Sequence, residues 1–289
     1  MLLSKLADGR LRYTLKNVWL LIASLIFYAW GGIYYLLIML FSIALNYTAG
    51  RLMGMIINFR FIAESIPKLL GAIPITLLMA FASAAIGWLL GLGIALIRKN
   101  KVPVLSQIFA VYVSFLRGVP MIILLYISYY ALPNIIYSYG VSIGREINVD
   151  AVPAVAYAII ALVLEQSAYA SEIFRSSLAA VDEGQMEAAY SVGMTKTQAL
   201  VRIVLSQAMA IALPNLSGLF LGLVKGTSLA YYVGVYEITA TANLLAMPAL
   251  NFIEAYIMTT IIYELISFIF NKIFRTVENN LKKFRAVAA

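Results

Sequence analysis

Residues 72–97 contain no charged side chain, and Arg98, Lys99 and Lys101 come directly after them. About 20 apolar residues in helical form cross the ~30 Å hydrocarbon core of a bilayer. A backbone in that core must satisfy its own hydrogen bonds, which leaves helices and closed barrels as the only spanning structures. The run is far longer than the alternating segments of a membrane barrel, so the fold class it imposes is all-α and polytopic. Composition agrees: 63% of the chain is apolar and 12% charged, against roughly half and a quarter in soluble domains. At 289 residues there is room for six or seven spans with short loops and none for an added soluble enzyme domain of ordinary size.

The net charge of +8 does not point to nucleic acid. The basic residues sit at the ends of apolar runs, where the positive-inside rule expects them. His and Cys are both absent. That excludes disulfides, Cys/His metal sites and any mechanism with histidine as general base, leaving binding, movement or carboxylate chemistry. No metal ligands are assigned.

The spacing predicts spans over residues 72–97, 105–132, 152–179, 198–223 and 250–274. The small-xxx-small pair of Gly87 and Gly91 in the first lets another helix approach closely. Arg117-Gly118-Val119-Pro120 interrupts the second, since proline lacks an amide donor and disfavours helix in the residue before it. Residues 133–150 read as a polar outer loop of net charge −1, and Lys272, Arg275, Lys282, Lys283 and Arg285 against Glu278 place the tail on the cytoplasmic side. Ahead of these, residues 18–47 are apolar but broken by Gly31-Gly32. The net +3 of residues 1–17 favours one extra span there, and the glycine break favours two.

Between the third and fourth predicted spans lies a polar segment, residues 182–207. Asp182-Glu183-Gly184-Gln185 fits a capping box and starts a helix. Met186, Ala189, Tyr190 and Gly193 share one face of it, and Gly193 is suited to the left-handed conformation that ends a helix. Thr195-Lys196-Thr197-Gln198 fits a second box, opening the helix that becomes the next span. The result is either an ordinary helical loop or a rigid cytoplasmic elbow to which a partner docks.

Glu187-Ala188-Ala189, then Gly193, Ile203 and Leu205, resemble the E-A-A-x3-G-x9-I-x-L-P signature of ABC importer permeases, with Ser206 in place of the final proline. The resemblance covers about residues 57–285. It implies the five-helix importer transmembrane domain of MetI type, with one or two extra N-terminal membrane helices, and an elbow that seats in the ATP-binding subunit. Phe115-Leu116-Arg117-Gly118-Val119-Pro120, Ala168-Tyr169-Ala170-Ser171-Glu172-Ile173-Phe174-Arg175 and Lys225-Gly226-Thr227-Ser228-Leu229 are similar to motifs of polar amino acid permeases, cystine permeases in particular. The resemblance further implies a multi-pass bacterial cell-membrane subunit with elbow and tail cytoplasmic. Its partners by the same resemblance are an ATP-binding subunit, an extracytoplasmic solute-binding protein, a second permease subunit and an amino acid. ATP and Mg belong to the partner, and this chain has no cofactor and no G-x-x-x-x-G-K-[ST] loop.

The coupling residues implied are Glu187, Ala188, Ala189 and Gly193. Glu165, deep in a span, is a candidate for the substrate ammonium, with an interhelical hydrogen bond as the other reading. Lys225, Thr227 and Ser228 either meet a substrate carboxylate or satisfy backbone at a helix end. Glu172 and Arg175, at i and i+3, suit a mutual ion pair.

The front is different. Residues 16–31 resemble the K-N-x3-L-x-A-S-L-x-F-Y-A-W-G pattern of membrane-bound O-acyltransferases, which divides the chain into 1–54 and a permease domain, 55–289. An acyl-transfer enzyme fails on chemistry, because that family uses a histidine. A stand-alone channel or carrier, needing no nucleotide-binding partner, is the third reading.

Overall fold

A computed structural model describes residues 57–287 and six isolated helical positions between 37 and 48. The acyltransferase-like pattern at 16–31, and the choice between one and two spans ahead of residue 55, lie outside the described residues.

Among the described residues, five stretches are long and apolar enough to cross a membrane: Phe59–Lys99, Met121–Ser142, Ala154–Ala179, Lys196–Val233 and Phe252–Asn280. The first combines an entry helix, α1 (Phe59–Gly71), with α2 (Ile73–Lys99). Pro74 sits in the first turn of α2, where a missing amide costs nothing.

The expected break at Arg117–Pro120 is present. Helix α3 (Leu105–Gly118) stops there, Val119 and Pro120 are extended, and α4 (Met121–Tyr126) restarts the chain. Helix α4 then passes through a π turn, Ile127–Ala131, into α5 (Leu132–Ser142). Residues 133–142 are therefore helical, not the loop that Pro133 suggested. The wide turn just before Pro133 already departs from the i→i−4 pattern that its ring would break. The Asn134 side chain donates to the Tyr130 carbonyl at 2.8 Å.

The third span, α6 (Ala154–Ala179), comes after Pro153. The polar segment supplies α7 (Gly184–Ser191) and the short α8 (Lys196–Ala199). A second π turn, Leu200–Val204, leads into α9 (Leu205–Gly226), and a 3₁₀ stretch, Thr227–Val233, ends the fourth span. A short apolar helix, α10 (Ile238–Ala246), precedes α11 (Phe252–Val287). The last helix thus runs well past residue 274, carrying the basic tail on its own axis. These helices belong to one of two units into which the chain divides, Phe59–Ala289, the other being Met1–Asn58.

Helices α2 and α6 lie parallel and in fixed register, residue i of one against i+79 of the other. A Cβ on Gly87 would stand 2.7 Å from the Gln166 Cβ, and one on Gly91 2.8 Å from the Ala170 Cβ. Lys99 Nζ donates to the Leu178 carbonyl at 3.3 Å. In lipid, where apolar burial between helices gains little, such close approach of small residues is what holds helices together. Gly93 has open space and no such role. Phe220 of α9 completes the centre, packing on Phe81 of α2 and on Phe270 and Phe274 of α11 with ring centroids 5.2 to 5.5 Å apart.

Candidate functional site

Two places gather the residues singled out in the sequence: the polar elbow between α6 and α9, and a cavity within the membrane-spanning bundle.

At the elbow, Asp182 Oδ1 accepts the Gly184 amide at 2.8 Å, but the reciprocal half of the expected box is missing. Gln185 does not reach back, because its Oε1 accepts from Gln207 Nε2 at 2.8 Å, tying α7 to the start of α9. The far end of α7 is closed by the Gly193 amide on the Tyr190 carbonyl and the Met194 amide on the Ala189 carbonyl, at 2.9 and 3.1 Å. Gly193 sits at φ +82°. This is the Schellman pattern, and it needs a left-handed residue at that position. The second box forms as predicted: Thr195 Oγ1 accepts the Gln198 amide at 3.3 Å, and Gln198 Oε1 accepts the Thr195 amide at 2.9 Å.

Ala189 and Ala199 are buried, which seats both short helices on the bundle. Glu187, Ala188, Tyr190 and Val192 are exposed, Val192 at 74%. Tyr190 thus faces outward, not with Met186 and Ala189 toward the bundle. A cleft of about 320 Å³ lies between the elbow and the end of α2, lined by Lys99, Asn100, Met186, Glu187, Lys196 and Leu200 among others. Above it, Glu172 pairs with both Arg98 of α2 and Arg175 of α6. The i,i+3 pair is therefore present, and the cross-helix partner Arg98 is the part that spacing along one helix could not reveal.

The bundle cavity, about 280 Å³, is lined by Glu165, Gln166 and Tyr169 of α6 and by Gly218, Gly222 and Gly226 of α9. Glu165 is half-buried. Gln166 is buried and accepts from Trp88 Nε1 at 3.3 Å, and the Arg117 guanidinium lies 5.4 Å from the Tyr169 ring centroid. The other three predicted path residues are placed elsewhere. Lys225 pairs with Glu264 of α11 at 2.8 Å, buried Thr227 donates to the Val224 carbonyl at 2.7 Å, and Ser228 is half-buried in the 3₁₀ stretch. No group of His, Cys, Asp and Glu among the described residues is arranged to hold a metal ion.

Residues 85–283 match the family model of the binding-protein-dependent transport system inner membrane component. The chain belongs to this family. It is 41% identical over 92% of the length of the "Probable amino-acid permease protein YxeN" of Bacillus subtilis (strain 168), and 74% of this chain is covered. It is 34% identical over 92% of the "L-cystine transport system permease protein TcyL" of the same organism, with 78% covered. Among solved structures it resembles an amino acid ABC transporter crystallised with histidines, at 28% identity and TM-score 0.64, covering 78% of this chain and 99% of that one.

The chain is accordingly a multi-pass permease subunit of all-α fold. Two features of this permease escaped the sequence. Glu264 carries no motif. Glu237, fully buried, caps α10 by accepting the Thr239 and Ala240 amides at 2.8 and 2.7 Å and the Tyr263 hydroxyl at 2.7 Å. A glutamate directly before an apolar helix was the available signal, weak because Ser, Thr, Asp and Asn dominate that position.

Proposed function

We propose that this permease carries polar amino acids, cystine among them, inward across the bacterial cell membrane. A separate ATP-binding subunit supplies the energy, and a second permease subunit completes the path. The observation that carries the reading is the elbow: a helix closed by Asp182 at one end and by the Gly193 turn at the other, seated by Ala189 and presenting Glu187, Tyr190 and Val192. A surface that sets exposed aromatic and aliphatic groups beside carboxylates suits a protein cleft better than open water. Names of the relatives, an amino-acid permease and a cystine permease, support the substrate class.

The elbow and the basic tail face the cytoplasm. When the two ATP-binding subunits close on ATP and Mg, they draw the elbows of the two permeases together. Because α7 joins α6 directly and α8 leads into α9, that displacement rotates spans as rigid bodies and turns the cavity from one side to the other. An extracytoplasmic binding protein delivers the amino acid, and Glu165 meets its ammonium in the cavity. In this mechanism the permease binds and moves; it makes and breaks no covalent bond.

The test is co-purification and uptake. Vesicles holding the assembled complex should take up amino acid only when ATP is supplied. Glu187→Arg should cut recovery of the ATP-binding subunit at least tenfold while the permease still inserts. ATP-independent uptake, or undiminished recovery with Glu187→Arg, would favour a stand-alone carrier.

A further inference from the structure

The loop joining α2 to α3, residues 100–104, holds two of the three non-glycine residues with positive φ among the described residues: Lys101 at +50° and Val104 at +64°. Lys101 ends α2. The Val102 amide closes on the Ile97 carbonyl at 3.2 Å, in a turn whose left-handed place usually goes to glycine or asparagine. Val104 departs further from the ordinary. Its ψ is −56°, and the Leu105 amide donates across it to the Pro103 carbonyl at 2.7 Å. That is the rare, strained hand of the γ-turn, and positive φ in a β-branched residue is an outlier in itself. Val104 is also the N-cap of α3, without a side-chain hydrogen bond, a position at which valine ranks among the poorest residues.

Glycine would suit both roles. Backbone strain persists where its surroundings hold it in place, yet Val104 is 64% exposed. Packing among the described residues does not offset it.

The loop adjoins the elbow. Lys99 and Asn100 line the cleft whose other wall carries Asp182, Glu183, Met186, Glu187 and Lys196. Lysines at 99 and 101 thus face a wall with three carboxylates and one ammonium. Lys101 and Glu187 form no ion pair among the described residues. Anionic lipid would be drawn to the first wall and repelled by the second, so a protein carrying both signs of charge fits the two walls better. Size points the same way. Helix α7 has eight residues, about 12 Å of helix, whereas a stable protein interface takes about 20–30 residues from each side. A protein that seats the elbow must cover more than the elbow, and the loop is what stands across the cleft.

We propose that residues 100–104 form a second contact for the ATP-binding subunit, with the Val104 side chain in an apolar pocket of that subunit and the Lys101 ammonium against a carboxylate. This rests on the elbow reading and deepens it. The subunit then holds the permease at two points, one beyond the end of α6 and one at the end of α2. Since these two helices are packed in fixed register, displacement of either displaces the pair.

The experiment uses the assembled complex in vesicles, with the photo-crosslinker benzoylphenylalanine placed at one position at a time. Val192→benzoylphenylalanine and Val104→benzoylphenylalanine should both cross-link to the ATP-binding subunit. Failure at 192 in a complex that transports overturns the elbow reading, and the loop contact with it. Cross-linking from 192 but not from 104, or from 104 only to lipid or to the second permease, overturns the loop contact alone. If the derivative at 104 does not assemble, Val104→Gly decides. By relieving the turn it should keep or raise the thermal midpoint of the purified permease, yet lower recovery of the ATP-binding subunit at least threefold. Lys101→Glu should lower recovery as much, and Lys101→Arg should leave it within 1.5-fold. A lowered midpoint in Val104→Gly would make Val104 a packing residue of the permease. That result, or undiminished recovery with Val104→Gly, overturns the proposal.

Discussion

Gly193 shows how one residue fixes the geometry of the elbow that we propose as the docking surface. Its φ of +82° lets the Gly193 and Met194 amides close on the carbonyls of Tyr190 and Ala189, turning the chain so that α8 can start three residues later. A side chain there is strained whatever space surrounds it, by roughly 1–2 kcal/mol. Gly193→Ala should lower the thermal midpoint of the purified permease by a few degrees and weaken recovery of the ATP-binding subunit, measured by melting and by co-purification. At this scale the sequence was informative where chemistry is local. The Thr195/Gln198 box and the Gly193 turn are dictated by spacing alone. The Asp182 box was half right, because the Gln185 side chain found a better partner, Gln207, in the start of the next span. The partner of Lys225 is 39 residues away on another helix, and no local pattern encodes such a pair.

Elements repeat the lesson. The five spans were legible because lipid imposes length and apolarity directly on the sequence. Their ends were less so: α5 continues past Pro133 because a π turn accommodates the ring, and α11 continues past residue 274 because charged residues are as comfortable in a helix leaving the membrane as in a loop. The proline missing at Ser206 is matched by an irregularity one turn earlier, the π turn Leu200–Val204. Packing between elements gives the sharper prediction. In Gly91→Val the Cβ alone would fall 2.8 Å from the Ala170 Cβ and 2.9 Å from the Ser167 carbonyl oxygen, so α2 and α6 must separate. Overpacking of this kind costs typically 1–3 kcal/mol. Gly91→Val should therefore lower the melting temperature clearly, while Gly93→Val, facing open space on the same helix, should leave it nearly unchanged.

At the scale of the whole molecule, the permease family match spans residues 85–283 and leaves the front of the chain unclaimed. If the first 54 residues contribute nothing to transport, residues 55–289 expressed with cognate partners should support ATP-dependent uptake at a rate close to that of the full chain. Loss of uptake despite normal insertion would give the front segment a role. Within the permease unit, the parallel pairing of α2 and α6 reaches further than stability. A register kept by two glycines facing backbone has no slack: inserting or deleting one residue in either helix would rotate its glycines away by about 100° and bring side chains into the seam. Relatives of this protein are therefore free to exchange residues along these two helices but not to change their length between the paired positions, so the distance from Gly87 to Gly91, and from Gln166 to Ala170, should be the slowest-drifting measurement in the fold.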